Sequence, residues 1–179
     1  MGKLFSATEA SADPRQKEGG QASFGGENGT NLGNDQAYKD ITIKISGCTN
    51  SCGQHHIANI GFHGASKNVD NKSVPHYQLL IGGYTAKNGV AVFGKRIAQI
   101  HAKRTPEATR AILEAFKKEK SAQETFVEWS GRVGIQKLKE IVEPFTLIPS
   151  FDQDPKMYED LGDPGKLFKV EVGKGECAA

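Results

Sequence analysis

Two cysteines in a glycine-flanked break between two strand-like segments constrain this chain more than any other feature. Ile41–Ser46 alternates apolar and polar side chains, which predicts a half-buried strand. Gly47 ends this strand, and Cys48 and Cys52 follow in a segment predicted to be a loop or a short helix. A second strand is expected over Ile57–His63. The two thiols are therefore expected to share one tight connection beside a sheet.

Further strands and helices are predicted along the chain. Strands are expected over His76–Ile81, over Gly89–Phe93 or as far as Ile97, and over Leu167–Val172. Since strands come first and helices later, we expect an α+β fold, with a mixed β-sheet and helices packed on it.

The helix predictions depend on capping signals and on apolar spacing. Thr105 and Pro106 predict a helix start, with Thr105 as the cap and Pro106 in the first turn. An apolar stripe then follows at helical spacing. Two later helices are expected over Ala122–Arg132 and Ile135–Val142, and Pro144 ends the second of them.

Composition separates residues 1–37 from the rest of the chain. They hold seven of the 21 glycines and few large apolar residues, so we expect a disordered or loosely held Gly/Asn-rich arm. A formal net charge of +2 argues against strong global attraction to nucleic acid. No apolar stretch approaches the ~18–20 residues that cross a bilayer, so no membrane association is expected. Three cysteines, an odd number, favour a reducing compartment, and we expect a cytoplasmic location.

Spacing alone leaves three interpretations of Cys48 and Cys52 open. Thiolates prefer soft centres such as zinc, copper(I) or the iron of a cluster, and two cysteines do not complete a four-ligand site. The pair fits a loop that holds an iron–sulfur or haem-type cofactor. It also fits a zinc site completed by His55 or His56. The third interpretation is a pair of small buried cysteines in a tight turn.

Gly47–Gln54 resembles the second cysteine pair of the sirohaem-dependent nitrite and sulfite reductases. The family pattern is Gly-Cys-Pro-Asn-(Ser/Gly)-Cys-Gly-(Gln/Arg), followed by a strand that ends in glycine. Thr49 stands where the family usually has proline. Tyr77–Gly83 resembles the family's strand with a Gly-Gly turn near the sirohaem. The resemblance covers about residues 38–145, which we assign to the 4Fe-4S domain of the family, and residues 146–179 are assigned to a C-terminal extension.

The resemblance implies a role for several residues. Cys48 and Cys52 would each bind an iron of a [4Fe-4S] cluster, and Cys52 would also bridge to the sirohaem iron. Asn50 and Gln54 would lie against the macrocycle, and the Gly82–Gly83 turn would pass close to it. The implied reaction is a six-electron reduction of sulfite to sulfide or of nitrite to ammonia. A ferredoxin or a flavoprotein would supply the electrons.

The sequence also departs from the family pattern. The family needs four cysteines, but the glycine-rich arm stands in the place of the first pair and has no cysteine. We therefore expect an incomplete domain that needs the missing N-terminal reductase half or a second subunit, with no turnover alone. Cys177 is expected to be a free thiol in a mobile tail. There are two alternatives: a non-catalytic relic or binding module with the same fold, and a small zinc-binding protein.

The remaining candidates are expected to be structural. His63, His76 and His101 are predicted at surface or capped positions. Six cations are expected to form a solvated face, with pairing to sirohaem carboxylates or to an acidic ferredoxin as the alternative: Lys95, Arg96, Lys103, Arg104, Lys117 and Lys118.

Overall fold

Six strands and two α-helices make up residues 35–170, the part of the chain that the computed structural model describes. The strands are β1 (Ile43–Ser46), β2 (Ile60–Val69), β3 (Lys72–Ile81), β4 (Tyr84–Thr85), β5 (Ala91–Val92) and β6 (Lys95–His101). The helices are α1 (Thr105–Glu119) and α2 (Phe126–Val142). Short 3-10 helices lie at Gln36–Tyr38, His55–Ile57, Ala102–Arg104, Glu143–Phe145 and Pro155–Tyr158. This order of elements confirms the α+β prediction.

A mixed sheet in the order β1–β2–β3–β6 forms the centre of the fold. β1 and β2 run parallel, which requires a crossover connection, and that crossover is the cysteine-containing segment. The β2–β3 and β3–β6 pairs are antiparallel. The strand predicted near Gly89–Phe93 divides at Gly94, because β5 pairs with β4 in a separate hairpin while β6 joins the main sheet.

The β2–β3 hairpin is longer than predicted. Asp70 and Asn71 both adopt left-handed backbone conformations, with φ of 51° and 56°, as the tight two-residue hairpin turns require. Each strand runs for ten residues. The half of the hairpin near the turn carries polar residues without regular alternation, so its pairing depends on the turn rather than on a local pattern.

α1 and α2 cover one face of the sheet, called the helix face. Residues paired across neighbouring strands share a face, so Ile60 and Ile81 both point toward the helices. The buried core on this side combines sheet and helix side chains, namely Ile60, Phe62, Leu79, Ile81, Ile97, Ile100, Ala108, Ile112, Leu113, Phe116, Phe126, Trp129, Leu138 and Val142. Phe116, Phe126 and Trp129 pack with ring centroids 5.4–5.5 Å apart.

The helix boundaries correct two predictions. Thr105 is the first residue of α1 rather than its cap; Arg104 precedes the helix and makes no side-chain capping bond. The 3-10 turn at Ala102–Arg104 leads directly into the helix and makes a separate cap unnecessary. The two later helices form one element that begins after Thr125 and bends at Gly134, where φ is 77° and ψ is 169°.

The other face of the sheet, called the loop face, is covered at its two ends by different segments. The cysteine-containing crossover covers the end near β1. The chain after α2 covers the other end, where Met157 and Tyr158 bury Val74. Instead of the strand predicted over Leu167–Val172, the described part of that range makes a single bridge between Glu159 and Leu167.

Several predictions fall on residues that lie outside the described range. Most of the 1–37 arm, the end of the last predicted strand and Cys177 are among them. Within residues 35–170, no helix is long and apolar enough to cross a membrane.

Candidate functional site

Residues 47–54 form a tight loop, the cysteine loop, that leaves the end of β1 and lies over the loop face. Ser51 and Gln54 hold left-handed backbone conformations with φ of 64° and 56°. The Gln54 N–H donates to the Ser51 carbonyl at 2.7 Å, which closes the turn. The 3-10 helix His55–Ile57 follows and returns the chain toward β2.

Ser46 fixes this loop to the sheet. It is the last residue of β1 and is buried. Its Oγ accepts the Gly53 N–H at 3.1 Å and shares a second hydrogen bond of 2.8 Å with His55 Nδ1. One hydroxyl group therefore ties the far side of the loop, next to Cys52, back to the strand that the loop leaves.

Three imidazole rings, tilted against one another, lie beside the loop. The His55 ring centroid lies 4.0 Å from that of His56 and 4.8 Å from that of His63. Burial, followed by the charges of His56 and His63, lowers the pKa of His55 from 6.5 to about 4, so the ring is neutral at neutral pH. Its Nε2 is buried and has no hydrogen-bond partner among the described residues.

The predictions for the isolated histidines are wrong in one respect. His63, His76 and His101 are all buried rather than at the surface. The ring of His63 packs against that of His55, and His76 and His101 pack edge to face at 5.5 Å. His101 does act as a cap, because its Nδ1 accepts the Lys103 N–H at 3.1 Å. Burial lowers the pKa of both His76 and His101.

Glycines let the crossover lie directly on the sheet backbone. A Cβ on Gly53 would overlap the Ile45 carbonyl oxygen, and one on Gly61 would overlap the His55 carbonyl oxygen. Gly83 is crowded in the same way by the carbonyl oxygens of the segment 56–58. These glycines therefore permit contact between backbones. Gly47 differs, because a Cβ there would meet nothing within 4 Å.

Asn59 joins three segments next to the cysteine loop. Its Oδ1 accepts the Thr42 N–H at 2.9 Å, and its Nδ2 donates to the Gly83 carbonyl at 3.0 Å. The Asn59 carbonyl accepts the Gly82 N–H at 2.9 Å. The Gly82–Gly83 turn is thus held against the crossover. Neither Asn59 nor Ser46 was among the predicted site residues, because the only local signal of each is a polar side chain at one boundary of an apolar strand.

Cys48 and Cys52 are free thiols with exposed side chains. The interpretation as a pair of small buried cysteines is therefore wrong. Asn50 is exposed, and Gln54 is exposed with its Oε1 accepting a 2.7 Å hydrogen bond from Lys44 Nζ. Four side chains that the resemblance singles out thus lie on one short, exposed loop.

The described residues offer only part of a metal-binding set. Among residues 35–170, no group of three or more His, Cys, Asp or Glu side chains is placed to hold a metal ion. His55 and His56 already use their Nδ1 atoms in hydrogen bonds to Ser46 and to Ser51, the latter at 2.9 Å. The two thiols fit half of a four-thiolate iron–sulfur site.

The six cations selected in the sequence do not form one solvated face. Lys103 lies 3.7 Å from Glu159, and Lys117 lies 2.5 Å from Asp35. Arg104 donates to two backbone carbonyls at 3.2 Å. Neither Lys95 nor Arg96, both exposed, forms a salt bridge with any residue in the 35–170 range.

The mixed sheet presents two exposed thiols on a braced loop, which is half of the thiolate set that holds a [4Fe-4S] cluster. The family described as the nitrite and sulphite reductase 4Fe-4S domain matches residues 32–146. The chain therefore belongs to this family, as the resemblance in Gly47–Gln54 indicated.

Individual relatives agree with the family assignment. The assimilatory ferredoxin-dependent nitrite reductase of Haloferax mediterranei is 31% identical over 108 residues, covering 58% of this chain and 18% of the relative. The sulfite reductase [NADPH] hemoprotein beta-component of Bacillus pumilus is 28% identical over 109 residues, covering 58% and 17%. The solved structure of the Mycobacterium tuberculosis NirA protein superposes with a TM-score of 0.50 at 29% identity, covering 55% of this chain and 18% of that chain. The chain thus spans less than a fifth of the length of these proteins.

Proposed function

We propose that this chain supplies two of the four thiolate ligands of a [4Fe-4S] cluster in a sirohaem-containing nitrite or sulfite reductase. The observation that carries the proposal is the exposure of Cys48 and Cys52 on one braced loop, in a chain of this family. The other two thiolates would come from a different polypeptide, either the missing N-terminal half of the reductase or a second subunit.

Cys52 is assigned the more demanding role. It stands next to Gly53, whose N–H is held by Ser46, so its backbone has less freedom than that of Cys48 at the start of the loop. The family resemblance gives the second cysteine of the pair a bridge to the sirohaem iron. A bridging thiolate needs a fixed position, since it must satisfy two metal centres at once.

Neighbouring residues are proposed to shape the cofactor site. Asn50 and Gln54, both exposed on the cysteine loop, would lie against the macrocycle. The Gly82–Gly83 turn would pass close to it while remaining clamped by Asn59. When bound, the coupled cluster and sirohaem would supply the electrons that reduce nitrite or sulfite. The chain's own contribution is to hold the two thiolates in place and to keep the loop rigid.

The electron donor would be a ferredoxin or a flavoprotein. The names of the relatives support both kinds of donor, because one relative is described as ferredoxin-dependent and another as NADPH-linked. The same names support nitrite and sulfite equally as substrates, and the word hemoprotein supports a haem-type partner for the cluster. A cytoplasmic location accords with this donor chemistry.

Anaerobic reconstitution tests the proposal. The chain is mixed with the N-terminal half of a relative, ferrous iron, sulfide and sirohaem, and iron content, visible absorption and dye-driven nitrite or sulfite reduction are measured. We expect cofactor uptake and turnover in the mixture and no turnover from the chain alone. Cys48→Ala and Cys52→Ala should abolish cluster uptake, whereas Cys177→Ala, the matched control, should not.

Two other outcomes would replace the proposal. A mixture that takes up neither iron nor sirohaem would identify a non-catalytic relic or binding module. Stoichiometric zinc that is lost in Cys48→Ala would identify a zinc site instead.

A further inference from the structure

The apolar side chains of β1 that lie on the helix face are exposed. Ile43 pairs with Ile60, and Ile45 pairs with Phe62. Because paired residues share a face, both isoleucines lie on the side of the sheet where α1 and α2 pack. Ile60 and Phe62 are fully buried in the core there, whereas Ile43 is 38% exposed and Ile45 is 50% exposed. The helix layer therefore ends before β1, and the two isoleucines form one uncovered apolar strip.

The backbone of β1 is also unpaired on its outer side. β1 is the first strand of the sheet and pairs only with β2 among the described residues. The Thr42 carbonyl accepts the Ile60 N–H at 3.0 Å. Alternate residues of a parallel strand direct their backbone groups toward the same neighbour, so Ile43 and Ile45 direct theirs away from β2. The N–H groups of both isoleucines and the Ile43 carbonyl are therefore free to pair with another strand.

This free side of the strand leads directly to the cysteine loop. Gly53, which follows Cys52, lies so close to the Ile45 carbonyl oxygen that a Cβ on Gly53 would be 2.3 Å from it. A strand that paired with Ile43 and Ile45 would thus end beside Cys52. We call the side chains and the free backbone groups of Ile43 and Ile45 the β1 edge.

We propose that the β1 edge is the docking site for the polypeptide that carries the other two cluster thiolates, which adds an extended apolar segment as a further strand. This inference rests on the proposed function, because it assigns a surface to the partner that completes the same site. In strand addition, backbone hydrogen bonds supply affinity and alternate side chains supply specificity. An exposed apolar edge without such a partner favours aggregation, so folded proteins usually cover or charge it.

The supply of thiolates favours this occupant over a second copy of the chain. A two-fold dimer through β1 pairs the two strands antiparallel, which places the cysteine loops at opposite ends of the four-residue strands, about 10 Å apart. Such a dimer separates the two pairs of thiols.

The same reasoning disfavours the N-terminal arm as the occupant, because residues 1–34 contain no cysteine. The chain spans less than a fifth of the length of its relatives. A polypeptide that corresponds to the remainder is large enough both to cover the β1 edge and to bring two thiolates to its end.

Binding of the full chain to the N-terminal half of a relative, without iron, sulfide or sirohaem, tests the inference by sedimentation. In Ile45→Lys, a charge would be buried in the interface, so we expect the dissociation constant to rise about tenfold or more. Ile135→Lys is the matched control, because Ile135 lies on α2 and is 39% exposed. The control, and Ile45→Val with its similar apolar side chain, should change the constant less than about twofold.

Amide exchange resolved by NMR reports the pairing itself. In the free chain, the amides of Ile43 and Ile45 should exchange faster than that of Lys44, which belongs to the ladder with β2. In the complex, the two isoleucine amides should slow to the level of Lys44. A complex that forms without this change would overturn strand addition.

Four other results would overturn the inference. Two are absence of wild-type binding and equal weakening by Ile45→Lys and Ile135→Lys. Isoleucine amides that slow as the concentration of the chain alone rises would identify a second copy. Slow amides that become fast when residues 1–34 are removed would identify the arm. If Trp129 fluorescence shows that Ile45→Lys is unfolded, Ile43→Thr replaces it, with the same expected direction.

The binding measurement requires no cofactor, so it is repeated with Cys48→Ala/Cys52→Ala, which should bind like the wild type. Binding through the β1 edge without cluster uptake by the wild type would reject the proposed function alone. Cluster uptake together with binding that Ile45→Lys does not weaken would reject the docking site alone.

Discussion

Replacing Ser46 by alanine should release the cysteine loop from the sheet. The substitution removes the hydrogen bond that Ser46 Oγ accepts from the Gly53 N–H at 3.1 Å and the 2.8 Å bond shared with His55 Nδ1. A net hydrogen bond contributes about 1 kcal/mol, and a buried group left without a partner costs about 1–3 kcal/mol. His55 is fully buried, so its Nδ1 would gain no water in exchange.

These contributions add to a loss of about 2–4 kcal/mol in the free energy of unfolding. That is a large share of the roughly 5–15 kcal/mol typical of a folded domain. Trp129, the only tryptophan, is buried in the core and reports global unfolding in urea by its fluorescence. Amide exchange at Gly53 reports the loop separately. In Ser46→Ala, we expect lower free energies both for global unfolding and for the local opening measured at Gly53.

Ser66→Ala is the matched control. Ser66 lies in β2, is exposed and makes no side-chain hydrogen bond within the described range, so its loss should change stability by less than about 0.5 kcal/mol. Equal unfolding free energies for the two variants, together with unchanged exchange at Gly53, would refute the conclusion that Ser46 anchors the loop.

Three further predictions follow from the site and the helices. Gly83→Ala should cost about 1–3 kcal/mol in urea unfolding, because its Cβ would strike backbone atoms, whereas Gly47→Ala faces open space and should be nearly neutral; equal costs would contradict this reasoning. The pKa of His55 is lowered to about 4, so the unfolded chain binds a proton first and stability should fall as pH drops from 6.5 toward 4; His55→Gln should reduce this slope in pH-dependent melts. The hydrogen bond from Arg132, with a smaller effect of the Ser121 N–H, lowers the pKa of Glu124 to about 2; NMR titration should detect that midpoint, and Arg132→Gln should raise it.

Local patterns were sufficient where a residue's environment depends on its neighbours in sequence. The alternation of Ile41–Ser46 predicted β1, which begins two residues later at Ile43. The apolar stripe after Pro106 predicted α1. The same reasoning failed at Thr105, because the preceding 3-10 turn already runs into the helix and leaves no cap position for it. It also failed for the far half of the β2–β3 hairpin, where pairing follows from the turn at Asp70 rather than from local hydrophobicity.

In the candidate site as well, only features that depend on neighbours in sequence could be predicted. The sequence pattern of the cysteine loop identified the family and the two thiols, because the motif is contiguous. It did not reveal the contacts that hold the rest of the crossover in place, which are made across the fold. Asn59 joins Thr42 and Gly83 over 17 and 24 positions of sequence, and His55 meets His63 only after the crossover is complete. Burial of these histidines is a property of the assembled sheet and has no local signature.

The anchors of the cysteine loop consist entirely of protein atoms, and this predicts how cofactor loading relates to folding. Small metal-dependent domains fold only when the metal binds, so chelators unfold them. Here Ser46 and the backbone contacts of Gly53 hold the loop without any metal ligand. A group that binds the folded chain stabilises it in proportion to its affinity, and half of a ligand set binds weakly. A chelator should therefore leave the thermal midpoint of the chain unchanged. A fall of several degrees would show that the thiols, rather than the hydrogen bonds of Ser46, hold the loop in place.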